Sequence, residues 1–120
     1  MTTAYWIVAG LTALAFLAAG AFKLVRPKQA LAASGLAWVE DFSPASIKLI
    51  GLAEVVGAVG LVVPAATGVA PVLSPVAAVC LALLMVGATV VHVRRSEPPI
   101  SAGPLVLSVA AAVLGFLAIA

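Results

Sequence analysis

The sequence contains very little charge, since only 8% of its 120 residues are Asp, Glu, Lys or Arg while 65% are hydrophobic. Soluble domains carry about 25% charged residues, so this composition excludes a soluble protein. The chain is also too short to add a soluble catalytic domain to several membrane spans of about 20 residues each. We therefore expect residues 1–120 to form a single integral membrane domain, with any function inside a helical bundle or its short connectors.

Residue types that carry most redox and metal chemistry are scarce. The one cysteine, Cys80, allows neither an internal disulfide nor a Cys-x-x-Cys redox pair. The one histidine, His92, excludes a haem held by two histidines of the same chain, and no zinc or other metal site is expected with so few ligands. No strand-to-helix phosphate loop is present. The net charge of +2 does not suggest a nucleic-acid partner.

What the sequence does contain is four apolar stretches, each long enough to cross a bilayer. The start of the second stretch is marked by Ser43 and Pro44, which are typical of an N-cap and a first helical residue. Residues 64–75 hold three prolines and predict an uncharged turn. The predicted fold is an all-α bundle of four transmembrane helices in up-down-up-down order. The predicted spans are residues 4–25, 45–63, 76–93 and 104–120.

Positive charge is concentrated at two of the three connectors. In the first connector, residues 26–44, a mildly amphipathic stretch from Ala30 to Trp38 predicts a short interfacial segment. All six Lys and Arg residues lie at this connector, at the adjoining helix ends or at residues 94–103. The positive-inside rule then places residues 26–44 and 94–103 in the cytoplasm and both termini outside the plasma membrane.

A single carboxylate, Glu54, lies inside the glycine-rich second span. Small residues share its helix face, and such faces let membrane helices approach closely, so we expect Glu54 to face another helix. A charged side chain at this depth costs at least about 2.5 kcal/mol, which makes Glu54 a candidate proton carrier or ligand contact. The alternative is a structural role, as a hydrogen-bond or ion-pair partner between helices.

Lys23 and His92 lie near the ends of the first and third spans, in the same leaflet as Glu54 in the predicted topology. The three side chains form a candidate catalytic cluster. Simpler interpretations stay open, because Lys23 can extend to the headgroups and His92 can be an ordinary interfacial residue. Four neighbouring residues are candidates for ligand binding: Gly51, Gly57, Met85 and Thr89.

Three stretches around these residues resemble the DoxX-like family of small four-helix membrane proteins. They are residues 20–24, residues 50–61 with Pro64, and residues 85–94. The resemblance implies that Lys23, Glu54 and His92 are the family's polar pattern. The family takes its name from a subunit associated with a terminal quinol oxidase. Its relatives include a subunit of a thiosulfate:quinone oxidoreductase, and others are linked to oxidative-stress or thiol-related complexes. Because this chain has no thiol pair, a direct thiol role is not expected.

The combined expectation is an integral membrane protein that binds a lipophilic small molecule, such as a quinone, or serves as a small subunit of a membrane redox complex. Its partners would be the lipid bilayer, this ligand, and a second copy of the chain or a redox protein. Three alternatives stay open. They are a small membrane enzyme with Glu54 and His92 as an acid–base pair, a proton-coupled transporter, and a scaffold without chemistry.

Overall fold

The computed structural model describes all residues from Met1 to Ala120 and contains only helices and connecting turns. A short 3-10 helix, Ala37–Asp41, lies between the second and third α-helices. Four helices are long and apolar enough to cross a membrane, which confirms the predicted all-α four-helix membrane fold. The α-helices are α1 (Thr3–Val25), α2 (Lys28–Ala33), α3 (Pro44–Thr67), α4 (Leu73–Arg94) and α5 (Ala102–Ile119).

The four long helices form a closed ring in which α1 and α4 lie diagonally opposite each other. Both of these helices pack against α3 and against α5. Consecutive long helices are antiparallel: Tyr5 near the start of α1 donates a hydrogen bond to Leu61 near the end of α3, and Thr89 near the end of α4 bonds Ser101 just before α5. This arrangement confirms the up-down-up-down order.

Local sequence explains where α3 begins and where the first connector divides. Ser43 Oγ accepts a hydrogen bond from the N–H of Ser46 at 3.1 Å, with Pro44 as the first helical residue, so the predicted N-cap of α3 is present. In the connector, the stretch from Ala30 to Trp38 divides into α2 and the 3-10 helix. Gly35 lies at the division with a φ of +97°, a conformation that interrupts a helix and that glycine adopts without strain.

The predicted turn over residues 64–75 is corrected to residues 68–72, because α3 continues through Pro64. A proline is tolerated inside a membrane helix where neighbouring groups bond to the backbone that it disturbs. Tyr5 Oη donates to the carbonyl oxygen of Leu61 at 2.6 Å, and Ser74 Oγ accepts from the N–H of Ala65 at 3.0 Å. These two hydroxyls support the backbone on either side of the proline.

The end of the bundle that holds both termini and the α3–α4 turn is close-packed, and we call it the closed end. Gly115 on α5 shows how tight the packing is. A Cβ atom added there would lie 2.9 Å from Pro75 Cβ and 3.1 Å from Tyr5 Cε1. Small residues on neighbouring helices let their backbones approach in this way.

The opposite end, with the two charged connectors, we call the cavity end. Here α1 and α3 stay in close contact, because a Cβ atom on Gly20 would lie only 2.6 Å from the carbonyl oxygen of Gly51. The diagonal pair α1 and α4 is further apart, and small side chains on both helices leave the space between them unfilled.

Candidate functional site

A cavity of about 760 Å³ lies between α1 and α4 at the cavity end. Its wall is mainly apolar, and the first connector lies across its end with Leu36, Trp38 and Phe42. Small side chains make up much of the wall, and they leave the space between these two diagonally opposite helices unfilled. The small wall residues on α1 and α4 are Ala15, Ala18, Ala19, Gly87 and Ala88.

Lys23 and Glu54 form an ion pair in the cavity wall. Lys23 Nζ donates to Glu54 Oε1 at 2.5 Å, and the two side chains are only 11% and 2% exposed. The close approach of α1 and α3 at Gly20 and Gly51 makes this contact possible, since each charged residue lies three positions after one of the glycines. Each charge compensates the other, so neither remains alone within the membrane-spanning region.

Lys48 fixes the end of α1 and with it the backbone of Lys23. Its ammonium donates to three carbonyl oxygens, those of Lys23 at 3.0 Å, Leu24 at 2.6 Å and Arg26 at 3.0 Å. The last carbonyls of a helix have no partner within the helix, and a cation there also interacts favourably with the helix dipole. In the sequence alone, Lys48 contributes only a positive charge on the predicted cytoplasmic side.

His92 lies in the same wall but has different partners. Its Nδ1 is 3.3 Å from Glu97 Oε1, and its ring packs edge-on against Trp38 with 6.5 Å between the ring centroids. Trp38 also lies 5.8 Å from Lys23 Nζ, within range of a cation–π contact. The structure thus brings Lys23, Glu54 and His92 to one cavity, with Glu54 bonded to Lys23 and His92 to Glu97.

Arg95 joins the two charged connectors. Its guanidinium donates to Asp41 Oδ2 at 2.7 Å and to Glu97 Oε2 at 3.2 Å, and it lies 3.9 Å from Glu40 Oε2. The hydrogen bond to Asp41 raises the pKa of the Arg95 guanidinium above its ordinary value, and the bond to Glu97 acts in the same direction. This network holds the 3-10 helix beside the end of α4.

Sequence reasoning missed Glu97 and Trp38 as parts of the site. Glu97 reaches His92 because the chain turns back after α4, where Ser96 adopts a φ of +55° and the N–H of Glu97 bonds the carbonyl oxygen of His92 at 2.9 Å. A non-glycine residue with positive φ leaves no clear signal in a single sequence. The position of Trp38 depends on how the whole connector folds over the bundle.

The four candidate ligand-binding residues lie in different surroundings. Met85 lines the cavity, whereas Gly51 lies in the contact between α1 and α3. Gly57 packs against α4 and faces a groove outside the bundle. Thr89 lies beside the cavity, where its Oγ1 donates to the carbonyl oxygen of Met85 and bonds Ser101 Oγ, both at 2.8 Å. No group of three or more His, Cys, Asp or Glu side chains is arranged to hold a metal ion.

Comparison with known protein families identifies a family to which the chain is similar. The family model described as the DoxX-like family matches residues 7–114 of the 120-residue chain. No curated protein and no solved structure matches. The matched range reaches from α1 into α5, so it includes the ion pair, His92 and all the cavity walls.

Proposed function

The chain belongs to the DoxX-like family of membrane proteins, and we propose that it binds a lipophilic small molecule in the cavity between α1 and α4. The observation that carries this proposal is the cavity itself, which combines about 760 Å³ of space and a mainly apolar wall with the Lys23–Glu54 ion pair. Sites for small molecules typically measure about 300–1,000 Å³ and have this composition.

The Lys23–Glu54 ion pair favours a neutral ligand with a polar end. Lys23 and Glu54 compensate each other, so the ion pair leaves no net charge for an ionic ligand to neutralise. The ammonium group has three donors and uses one of them for Glu54. Because Lys23 lines the cavity, its other donors are available to a ligand oxygen, such as a quinone carbonyl or a hydroxyl.

The rest of the cavity suits an apolar ring or chain that arrives from the bilayer. Several wall residues on the long helices, among them Ala15, Ala18 and Gly87, are exposed, which indicates that the cavity is open to its surroundings. A membrane-dissolved molecule reaches such a site without crossing water. A role as a subunit of a membrane redox complex would use the same site to present the ligand to a partner protein.

Native mass spectrometry of the protein released from lipid nanodiscs tests the proposal. Wild-type protein should carry a discrete lipophilic adduct. An Ala19→Leu variant should lose the adduct, because the longer side chain enters the cavity. Ala21→Leu, on an exposed part of the same helix and outside the cavity wall, is the matched control and should keep it.

Two results would contradict the proposal. One is a wild-type protein without any adduct after purification from several lipid compositions. The other is an adduct that survives in Ala19→Leu as fully as in Ala21→Leu, which would place the bound molecule elsewhere on the bundle.

We also propose that the cavity end faces the cytoplasm and that both termini lie outside the plasma membrane. All six Lys and Arg residues lie at the cavity end, which is the side that the positive-inside rule assigns to the cytoplasm. In a Cys80→Ser background, a membrane-impermeant maleimide added to intact cells should label Thr2→Cys and not Ser96→Cys. Labelling of Ser96→Cys and not of Thr2→Cys would contradict the proposed orientation and place the cavity end outside the cell.

A further inference from the structure

Two hydroxyl groups of the cavity wall have their protons engaged by the protein. Thr89 Oγ1 donates to the carbonyl oxygen of Met85, so the bond between Thr89 and Ser101 must use the proton of Ser101. Ser34 Oγ donates to the carbonyl oxygen of Ala30 at 2.8 Å. A hydroxyl has one proton and two lone pairs, so both serines present only acceptors to the cavity.

The imidazole of His92, in its neutral form, presents an acceptor as well. A carboxylate only accepts hydrogen bonds, so the contact between His92 Nδ1 and Glu97 Oε1 requires the proton to be on Nδ1. Arg95 donates to the second oxygen of Glu97, which fixes the carboxylate in this orientation. In the neutral ring the lone pair is then on Nε2.

Nε2 has no hydrogen-bond partner within the protein. The ring of His92 is held within the protein through Nδ1 alone, and the residue is only 6% exposed. No side-chain nitrogen or oxygen in the chain is both fully buried and without a partner, so Nε2 retains accessible surface. His92 is one of the residues that line the cavity, so a ligand bound there is the partner that this nitrogen can meet.

We infer that the ligand is a lipophilic alcohol or phenol whose hydroxyl group donates a hydrogen bond to His92 Nε2. This inference rests on the proposed function and narrows its ligand class. The hydroxyl oxygen can also accept from the Lys23 ammonium or the Trp38 indole, which both line the cavity. A carbonyl or an ether of the same size can only accept, so it leaves Nε2 unpaired. A hydroquinone therefore satisfies the site better than the corresponding quinone.

The single histidine permits a direct test. Protein labelled with ¹⁵N-histidine gives one imidazole spectrum, in which the protonated and unprotonated nitrogens are distinguished without any substitution. In nanodiscs we expect the proton on Nδ1. Addition of para-nonylphenol should shift the Nε2 resonance saturably, and the methyl ether of the same phenol should not.

Affinity gives a second readout. With Trp6→Phe, Trp38 is the only tryptophan, and its fluorescence reports the cavity. The phenol should bind about tenfold more tightly than its methyl ether, as one hydrogen bond implies. In the Glu97→Gln variant the amide can donate as well as accept, so the proton of His92 is no longer required on Nδ1. The preference for the phenol over its methyl ether should then fall to about twofold or less. Glu40→Gln, which removes a carboxylate on the far side of Arg95, is the matched control and should retain the preference.

Each failure has a distinct meaning. Equal binding of phenol and ether with an unshifted Nε2, or a ring protonated on Nε2, overturns the inference while the cavity remains a binding site. Saturable binding of neither compound overturns the inference and also counts against the proposed function.

Discussion

The two ends of this bundle are built from the same four helices but pack in opposite ways. At the closed end Gly115 lies against Pro75 and Tyr5 with no room for a methyl group. Tyr5 and Ser74 there use single hydroxyls to support the backbone around Pro64. At the cavity end Lys23, Glu54 and His92 line a space of about 760 Å³ that stays open.

At both ends the polar contacts join neighbouring elements and do not run across the bundle. Lys23 and Glu54 bond along the edge between α1 and α3, while His92 and Glu97 bond between α4 and its own connector. No hydrogen bond at the cavity end joins α1 to α4 directly, so these contacts fix the walls without drawing them together. The polar contacts therefore hold the cavity walls in place, while the small side chains of α1 and α4 leave the space between these helices unfilled.

Breaking the ion pair should have the largest effect on stability. Lys23→Met leaves the carboxylate of Glu54 buried without its partner, and removing one member of a buried pair typically costs about 3–5 kcal/mol. The free energy of unfolding in mixed micelles or by steric trapping in bilayers measures this loss. The double variant Lys23→Met with Glu54→Met should recover most of it, because no unpaired charge remains. A single variant as stable as wild type would show that the pair has no structural role.

A methyl group added at the closed end should lower stability, whereas one added at the cavity end should not. Gly115→Ala introduces a clash at the closed end that costs about 1–3 kcal/mol. This outweighs or cancels a gain of about 1 kcal/mol in helix propensity. Gly87 lines the cavity, and no atom lies within 4 Å of a Cβ added there. The Gly87→Ala variant should therefore be at least as stable as wild type. Thermal denaturation of both variants in the same detergent gives the comparison. Equal destabilisation would mean that the two ends pack alike.

The smallest effect on global stability is expected for Arg95→Gln, because ion pairs at exposed positions contribute little. The substitution should instead release the first connector from the end of α4. A glutamate-specific protease should then cleave after Glu40 several times faster than in wild type. Arg94→Gln removes the same charge from the neighbouring exposed position and should cleave at the wild-type rate. Equal rates in all three proteins would exclude a clamp by Arg95.

The fold could be predicted from the sequence because bilayer thickness, hydropathy and helix caps act locally. Local patterns alone predict a turn in the proline-rich stretch, and that prediction was wrong about where the turn begins. The hydroxyls of Tyr5 and Ser74, which support the helix around Pro64, come from other helices and are not visible in the local sequence. For the site, the glycine spacing that places Glu54 against another helix is visible in the sequence. The contact between His92 and Glu97 is not, because it depends on the backbone of Ser96 after the helix has ended.

The Lys23–Glu54 pair also ties the insertion of α1 to that of α3. A charged residue near the centre of a helix lowers its tendency to leave the translocon for lipid by roughly 2.5–3.5 kcal/mol. Glu54 lies well inside α3, so that helix partitions poorly alone and better as a hairpin with α1, in which the two charges meet. Because α1 and α3 are synthesised before α4 and α5, they can pair first. We expect the α1–α3 hairpin to enter the bilayer with these two charges paired, before α4 and α5 complete the cavity.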